Sequence, residues 1–219
     1  MQSLSPDRLA AAILLAAIAG AVDAVGFTEL GGYFVSFMSG NSTRLGLHLA
    51  AHQWSSALFA GGLVALFVGG VAAGALVAER AGRRAAAVIL LCEAILLTGA
   101  SFLLEGPRPV MGAILLPPAM GLANVFLLGE GGVQLGLTYM TGTLVRVGIG
   151  LASLGTAGRE RGRGRAVALD LMLWLALVAG VVLGGIGRAR FGGQVLLAPA
   201  VALLVMAMAE TLIPRRRVA

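Results

Sequence analysis

Two arginines sit where arginine is costly. Arg44 closes the segment Met38-Ser39-Gly40-Asn41-Ser42-Thr43-Arg44, and Arg146 closes Met140-Thr141-Gly142-Thr143-Leu144-Val145-Arg146, 102 residues later. Over residues 38–50 and 140–152, six of 13 positions are identical. Each copy is a small polar turn followed by a guanidinium, inside long apolar sequence. An unpaired arginine in hydrocarbon costs several kcal/mol, so matching arginines in both halves point to a duplicated chain with a polar centre built from both copies. The chemistry on offer is recognition of an anion or a dipolar solute. Ser39 or Asn41, and Thr141 or Thr143, are natural N-caps for the helices that follow. Such helix starts carry free N–H groups and partial positive charge, with Arg44 and Arg146 about one turn inside. The expected solute-binding set is therefore Ser39, Gly40, Asn41, Arg44, Thr141, Gly142, Thr143 and Arg146. The competing reading is structural: each arginine pairs with an acid and holds a broken helix together.

Acids that could serve either reading are few. Asp23 has Asn124 as its counterpart 101 residues later, and Glu29 has Glu130. Glu93 lies deep in an apolar run, with no acidic counterpart in the second half. Asp23, Glu93 and Asn124 form the expected proton-coupling or ion-pair set. Glu29 and Glu130 read as membrane-edge structural residues. Asp170 and Glu210 read as interfacial caps or ion pairs. His48 and His52, four apart beside Trp54, are too few for a metal site, and none is expected. The one cysteine, Cys92, allows neither an internal disulfide nor a cysteine metal site. Nucleophile-elbow, zinc-protease and phosphate-loop patterns are absent, so no catalytic residue, enzyme activity or cofactor is expected.

The elements that must position these residues are membrane helices. The 219 residues are 58% hydrophobic and 12% charged, with mean hydropathy +0.94. A soluble domain carries about 25% charged residues. All 16 basic residues are arginine, clustered between apolar runs, so the net charge of +6 reflects membrane topology rather than nucleic-acid binding. Spans of roughly 20 residues are expected near 9–27, 55–78, 85–104, 109–128, 166–187 and 194–213. Kinks are expected at Pro117-Pro118 and Pro199. Two interrupted stretches, 30–51 and 131–154, contain the arginine motifs. The first run could pass for a signal peptide, but Gly20, Asp23, Glu29 and Gly31 recur as Gly121, Asn124, Glu130 and Gly132. It therefore reads as the first span.

Charge chooses between two topologies. If the interrupted stretches re-enter the face they left, 11 loop arginines lie on one side and three on the other; if they cross, the split is nine against five. The positive-inside rule favours re-entry, six spans and both termini cytoplasmic. Three spans per half then invert the second half. The expected fold is an all-α membrane protein: six transmembrane helices plus two re-entrant half-helices, an inverted repeat of residues 1–104 and 105–219. Gly70/Gly74 and Gly180/Gly184, followed by Arg80 and Arg190, fit this repeat and read as helix-packing positions.

The run from Gly20-Ala21-Val22-Asp23 through Gly31-Gly32-Tyr33-Phe34-Val35-Ser36-Phe37-Met38-Ser39-Gly40-Asn41, with Leu137-Thr138-Tyr139-Met140-Thr141-Gly142-Thr143-Leu144-Val145-Arg146, resembles the two signatures of the YoaK-like family (domain of unknown function 1275, UPF0700-type). That resemblance implies a small polytopic bacterial inner-membrane protein and carries no activity with it. The residues themselves point to a secondary transporter or channel for a small anionic or polar solute, bound near the midplane between the half-helix starts. A membrane scaffold or accessory subunit is the alternative. The expected partners are the lipid bilayer, the solute and, as an open possibility, a second copy of the chain; no nucleic acid is expected.

Overall fold

The computed structural model describes residues 6–129, 140–156 and 163–212. Among the described residues every regular element is helical: α1 (Pro6–Glu29), α2 (Met38–Ala50), α3 (Trp54–Ala81), α4 (Ala85–Leu104), α5 (Pro109–Ala113), α6 (Leu116–Gly129), α7 (Met140–Thr156), α8 (Arg163–Phe191) and α9 (Leu197–Leu212). Among the described residues four apolar stretches are long enough to cross a bilayer: Leu9–Glu29, Trp54–Leu104, Pro109–Phe126 and Gly164–Leu212. The second and fourth run to 51 and 49 residues, more than twice the length of one crossing. Each folds back on a 3-10 turn that opens with a glycine in the left-handed region, Gly82 at φ 50° and Gly192 at φ 62°.

Glycines set the helix pairings. A Cβ on Gly180 would meet the Ala17 carbonyl, one on Gly184 would meet Ala21, and one on Gly20 would meet Leu177 and Val181. These contacts run in step along α1 and α8, so the two helices are parallel. Glu29 binding Arg188 at 2.7 Å continues the register. The same list recurs between α3 and α6: Gly70 on Pro118, Gly74 on Leu122 and Val125, and Gly121 on Phe67 and Val71. Positions in α6 lie 101 beyond those in α1, and positions in α8 lie 110 beyond those in α3. Small residues allow the backbones this close, where dispersion and Cα–H···O contacts replace a hydrophobic drive.

The other directions follow. Gly193 packs on Ser101 and Leu104, so the end of α4 meets the start of α9 and these helices are antiparallel. The turns at Gly82 and Gly192 make α3 antiparallel to α4 and α8 antiparallel to α9. Consequently α1 is antiparallel to α3, and α6 to α8. The chain leaves α1 and enters α3 at the same end of the bundle. Between them α2 packs on α3, as α7 packs on α8.

The α5–α6 crossing breaks before its prolines are reached. The break lies at Ile114 and Leu115, so Pro117 and Pro118 occupy the first turn of α6 rather than a mid-span kink. A first turn is where missing N–H groups leave no bond unmade. Pro199 stands likewise in the first turn of α9.

Candidate functional site

The first motif is held by a carboxylate. After α1 the chain reverses through Gly31 and Gly32, at φ 64° and 89°, with Leu30 and Gly32 donating to the Gly26 and Phe27 carbonyls. It then returns along α1. Asp23 Oδ1 accepts the Val35 and Ser36 backbone N–H groups at 3.0 and 2.9 Å, and Oδ2 accepts the Ser36 hydroxyl. Val35 fits where Gly26 has no side chain. Asp23 lies six residues before the end of α1, about 9 Å along it. The start of α2 is therefore drawn inside the bundle, below the end of α1. Asp23→Ala is expected to lower thermal stability by about 1–3 kcal/mol for each buried donor left unpaired, with Asp23→Asn falling less. A differential scan of the detergent-solubilised variants reads this directly.

Asn41 has a structural task. It is fully buried, its amide donates to the Phe34 carbonyl at 2.7 Å, and its oxygen accepts the Phe34 N–H at 3.0 Å. This pair closes the loop as a strand partner would. The N-cap expectation for Ser39 and Asn41 is corrected here: the cap is Phe37, with no side-chain bond, and both residues lie inside α2. Gly40 fits against the rings of Phe34 and Phe37. Ser42 and Thr43 hydroxyls bond back to the Met38 and Ser39 carbonyls. Thr141 and Thr143, with Gly142, likewise lie inside α7, so neither threonine is its cap.

The two arginines diverge. Arg44 is half-buried, with its guanidinium carbon 4.9 Å from the centre of the Tyr33 ring and no acidic partner among the described residues. Tyr33 is part of a chain: its hydroxyl bonds His48 Nε2 at 2.9 Å, and His48 Nδ1 bonds Gln53 Oε1 at 2.6 Å. Phe59 packs edge-on against the Tyr33 ring. Sequence spacing did not single out Tyr33; its partners come from opposite sides of a turn. His52 stands apart in the left-handed region at φ 57°, beside Trp54, so the two histidines do not converge.

Arg146 is neutralised. Its Nε lies 3.1 Å from both Asp170 oxygens, Nη2 lies 2.8 Å from Oδ1, and Nη2 also donates to the Thr143 hydroxyl at 2.9 Å. The position in α3 corresponding to Asp170, 110 residues earlier, is the buried Ala60. A motif symmetric in sequence is thus asymmetric in charge. Among the described residues α2 and α7 share no extended packing, and Arg146 bonds Asp170 and Thr143 while Arg44 lies on Tyr33.

Of the remaining acids, Glu29 is paired with Arg188. Asn124 donates to the Met120 carbonyl at 2.7 Å. Glu130 and residues 131–139 lie outside the described residues, so the start of the second interrupted stretch is not placed. Glu93 is completely buried, and neither carboxyl oxygen has a hydrogen-bond partner among the described residues. No cluster of three or more histidine, cysteine or acidic residues is found among them.

Comparison with known proteins extends along the whole bundle. A family described as "Protein of unknown function (DUF1275)" matches residues 11–209. A UPF0700 transmembrane protein of Rhizobium meliloti (strain 1021) is 36% identical over 208 residues, covering 95% of this chain and 88% of its own length. No solved structure matches.

Proposed function

The chain belongs to the DUF1275 family of membrane proteins, and from that premise we propose that it is a secondary transporter or channel for a small anionic or polar solute. The observation that carries this reading is the doubled helix pairing, α1 with α8 and α3 with α6, made by equivalent glycines. Because α1 opposes α3 and α6 opposes α8, the pairing supports two three-span halves of opposite orientation, each with an interrupted segment. In a plan of that kind half-helix starts lie near the midplane, where transporters bind solutes. The loop arginines, 11 against three, support a bacterial inner-membrane protein with both termini cytoplasmic.

Within the proposed site the charge for an anion comes from Arg44, which no acid of the described residues neutralises, supported by Ser39 and the start of α2. Asn41, Gly40 and Asp23 shape the loop. On the other half, Arg146 and Thr143 would bind solute only if Asp170 released them; Thr141 is exposed. A thermal-shift screen against small anions, nucleosides, amino acids and sugars tests the reading. A stabilising solute is expected to lose about 10- to 100-fold in affinity in Arg44→Ala, the worth of a charge-assisted hydrogen bond. Unchanged uptake into proteoliposomes by folded Arg44→Ala and Arg146→Ala would sink the assignment. The second reading, a scaffold or accessory subunit, is favoured by the closed Arg146–Asp170–Thr143 cluster and would be supported if no solute binds.

A further inference from the structure

Glu93 occupies a position that the pairing of the two halves makes special. The left-handed glycines Gly82 and Gly192 are 110 residues apart, and each opens a 3-10 turn. Carried forward, that offset sets Leu90, Glu93 and Leu97 of α4 against Ala200, Leu203 and Ala207 of α9, and all six are buried. The helices are antiparallel, and Gly193 touches Ser101 and Leu104. Glu93 lies eleven residues back from Leu104, and Leu203 ten residues on from Gly193, both about 16 Å along their helices. Glu93 and Leu203 are therefore level with each other where α4 and α9 cross. That crossing relates the two halves. In the second half the place is apolar; in the first it holds a carboxyl with no hydrogen bond among the described residues.

Such a group is not there for stability, since a buried polar atom without a partner costs free energy that a leucine would not. Among the described residues its surroundings bring no compensating charge. Among the elements packed on α4, α3 carries Glu79 and Arg80 at its exposed end, with Arg83 and Arg84 in the turn beyond. Arg108 precedes α5, and α6 has no titratable residue. In α9 the acid is Glu210, seven residues beyond Leu203, and α4 itself stops before Glu105.

We propose, resting on the transport reading above, that Glu93 is the proton-binding site of the transport cycle, one proton per turn. An O–H bond forms with a proton delivered by water from one face of the membrane. It breaks when water from the other face takes the proton back. A metal cation is the wrong occupant: Ca²⁺ takes six to eight oxygen ligands and Mg²⁺ near-octahedral ones, and among the described residues no hydrogen-bonding group reaches this carboxyl, whereas a proton needs a single oxygen. The ionised carboxylate would be unpartnered in the closed bundle, so it belongs to conformations in which water reaches the α4–α9 crossing. Protonation and opening are thereby linked. A single site follows from Leu203 standing where a second acid would be.

The test uses protons alone. The full chain in lipid nanodiscs is followed by infrared difference spectroscopy from acid to alkaline pH, with Glu93→Gln as the subtraction. The expected result is a protonated-carboxyl band that is lost in Glu93→Gln, declines as pH rises, and shifts on transfer to D2O. In proteoliposomes a pH step on either face should change the same band. A band that neither titrates nor exchanges overturns the proposal, as does a band that persists in Glu93→Gln. Glu93→Leu, carrying the residue of the equivalent position, serves as a second subtraction should the Gln variant misfold. The outcomes separate the two readings. A titrating, exchanging Glu93 in a protein that binds no solute overturns the solute site and supports the proton site. A solute lost in Arg44→Ala, beside a silent Glu93, overturns the proton site alone.

Discussion

Gly180→Val leaves little folded protein in mild detergent, and Gly70→Val does the same. A Cβ on Gly180 falls on the Ala17 carbonyl oxygen and one on Gly70 on the Pro118 carbonyl. Backbone meets backbone in both cases, so no rotamer change relieves the overlap and whole helices must separate. Overpacking of a well-filled core costs about 1–3 kcal/mol where side chains can yield; here the cost exceeds that range. Total stability is only about 5–15 kcal/mol. The neighbouring glycines provide the control. Gly69 and Gly185 have nothing within 4 Å of an added Cβ. Gly69→Ala and Gly185→Ala should be neutral or stabilising by up to about 1 kcal/mol, because glycine is a poor helix former. Size-exclusion profiles and melting curves of the four variants measure the contrast. Four equal melting curves would mean that α1 and α8 do not cross at Gly180.

Glu93→Leu raises the melting temperature while removing the proposed proton site. The wild-type carboxyl is fully buried without a hydrogen bond among the described residues. Its removal relieves a desolvation penalty of about 1–3 kcal/mol, and leucine supplies apolar contacts where Leu203 already packs. Glu93→Gln keeps a polar group in the same place and should melt near the wild type. A lower melting temperature for Glu93→Leu would reveal a partner for the carboxyl and end the argument that function keeps it there. Stability gained at the expense of activity is a common signature of a working residue.

Much of the helical architecture is legible in the sequence. Apolar length marked the membrane helices, and the recurrence of Gly70/Gly74 as Gly180/Gly184 marked packing faces. The Pro117-Pro118 kink was misplaced because proline relocates a helix start as readily as it bends a helix. Ser39 and Asn41 were misread as caps because capping preference is local, whereas Asn41 answers to Phe34 across a loop.

Asp23 was legible as a polar residue in a span, but not as the anchor of residues 35 and 36; its donors are backbone groups, which every sequence contains. Arg44 and Arg146 were legible as a pair. That Asp170 neutralises one and Tyr33 stacks under the other depends on which helix lies beside each. The sequence by itself determined a membrane solvent and the positions of its rare polar groups, because burying charge in hydrocarbon is costly enough to restrict composition locally. Only the tertiary structure decided which of those groups are neutralised and which are left without a partner. That outcome depends on contacts within about 3 Å between segments far apart in the chain. Arg44 and Arg146, alike in their local sequence, acquire different neighbours because different helices lie beside them.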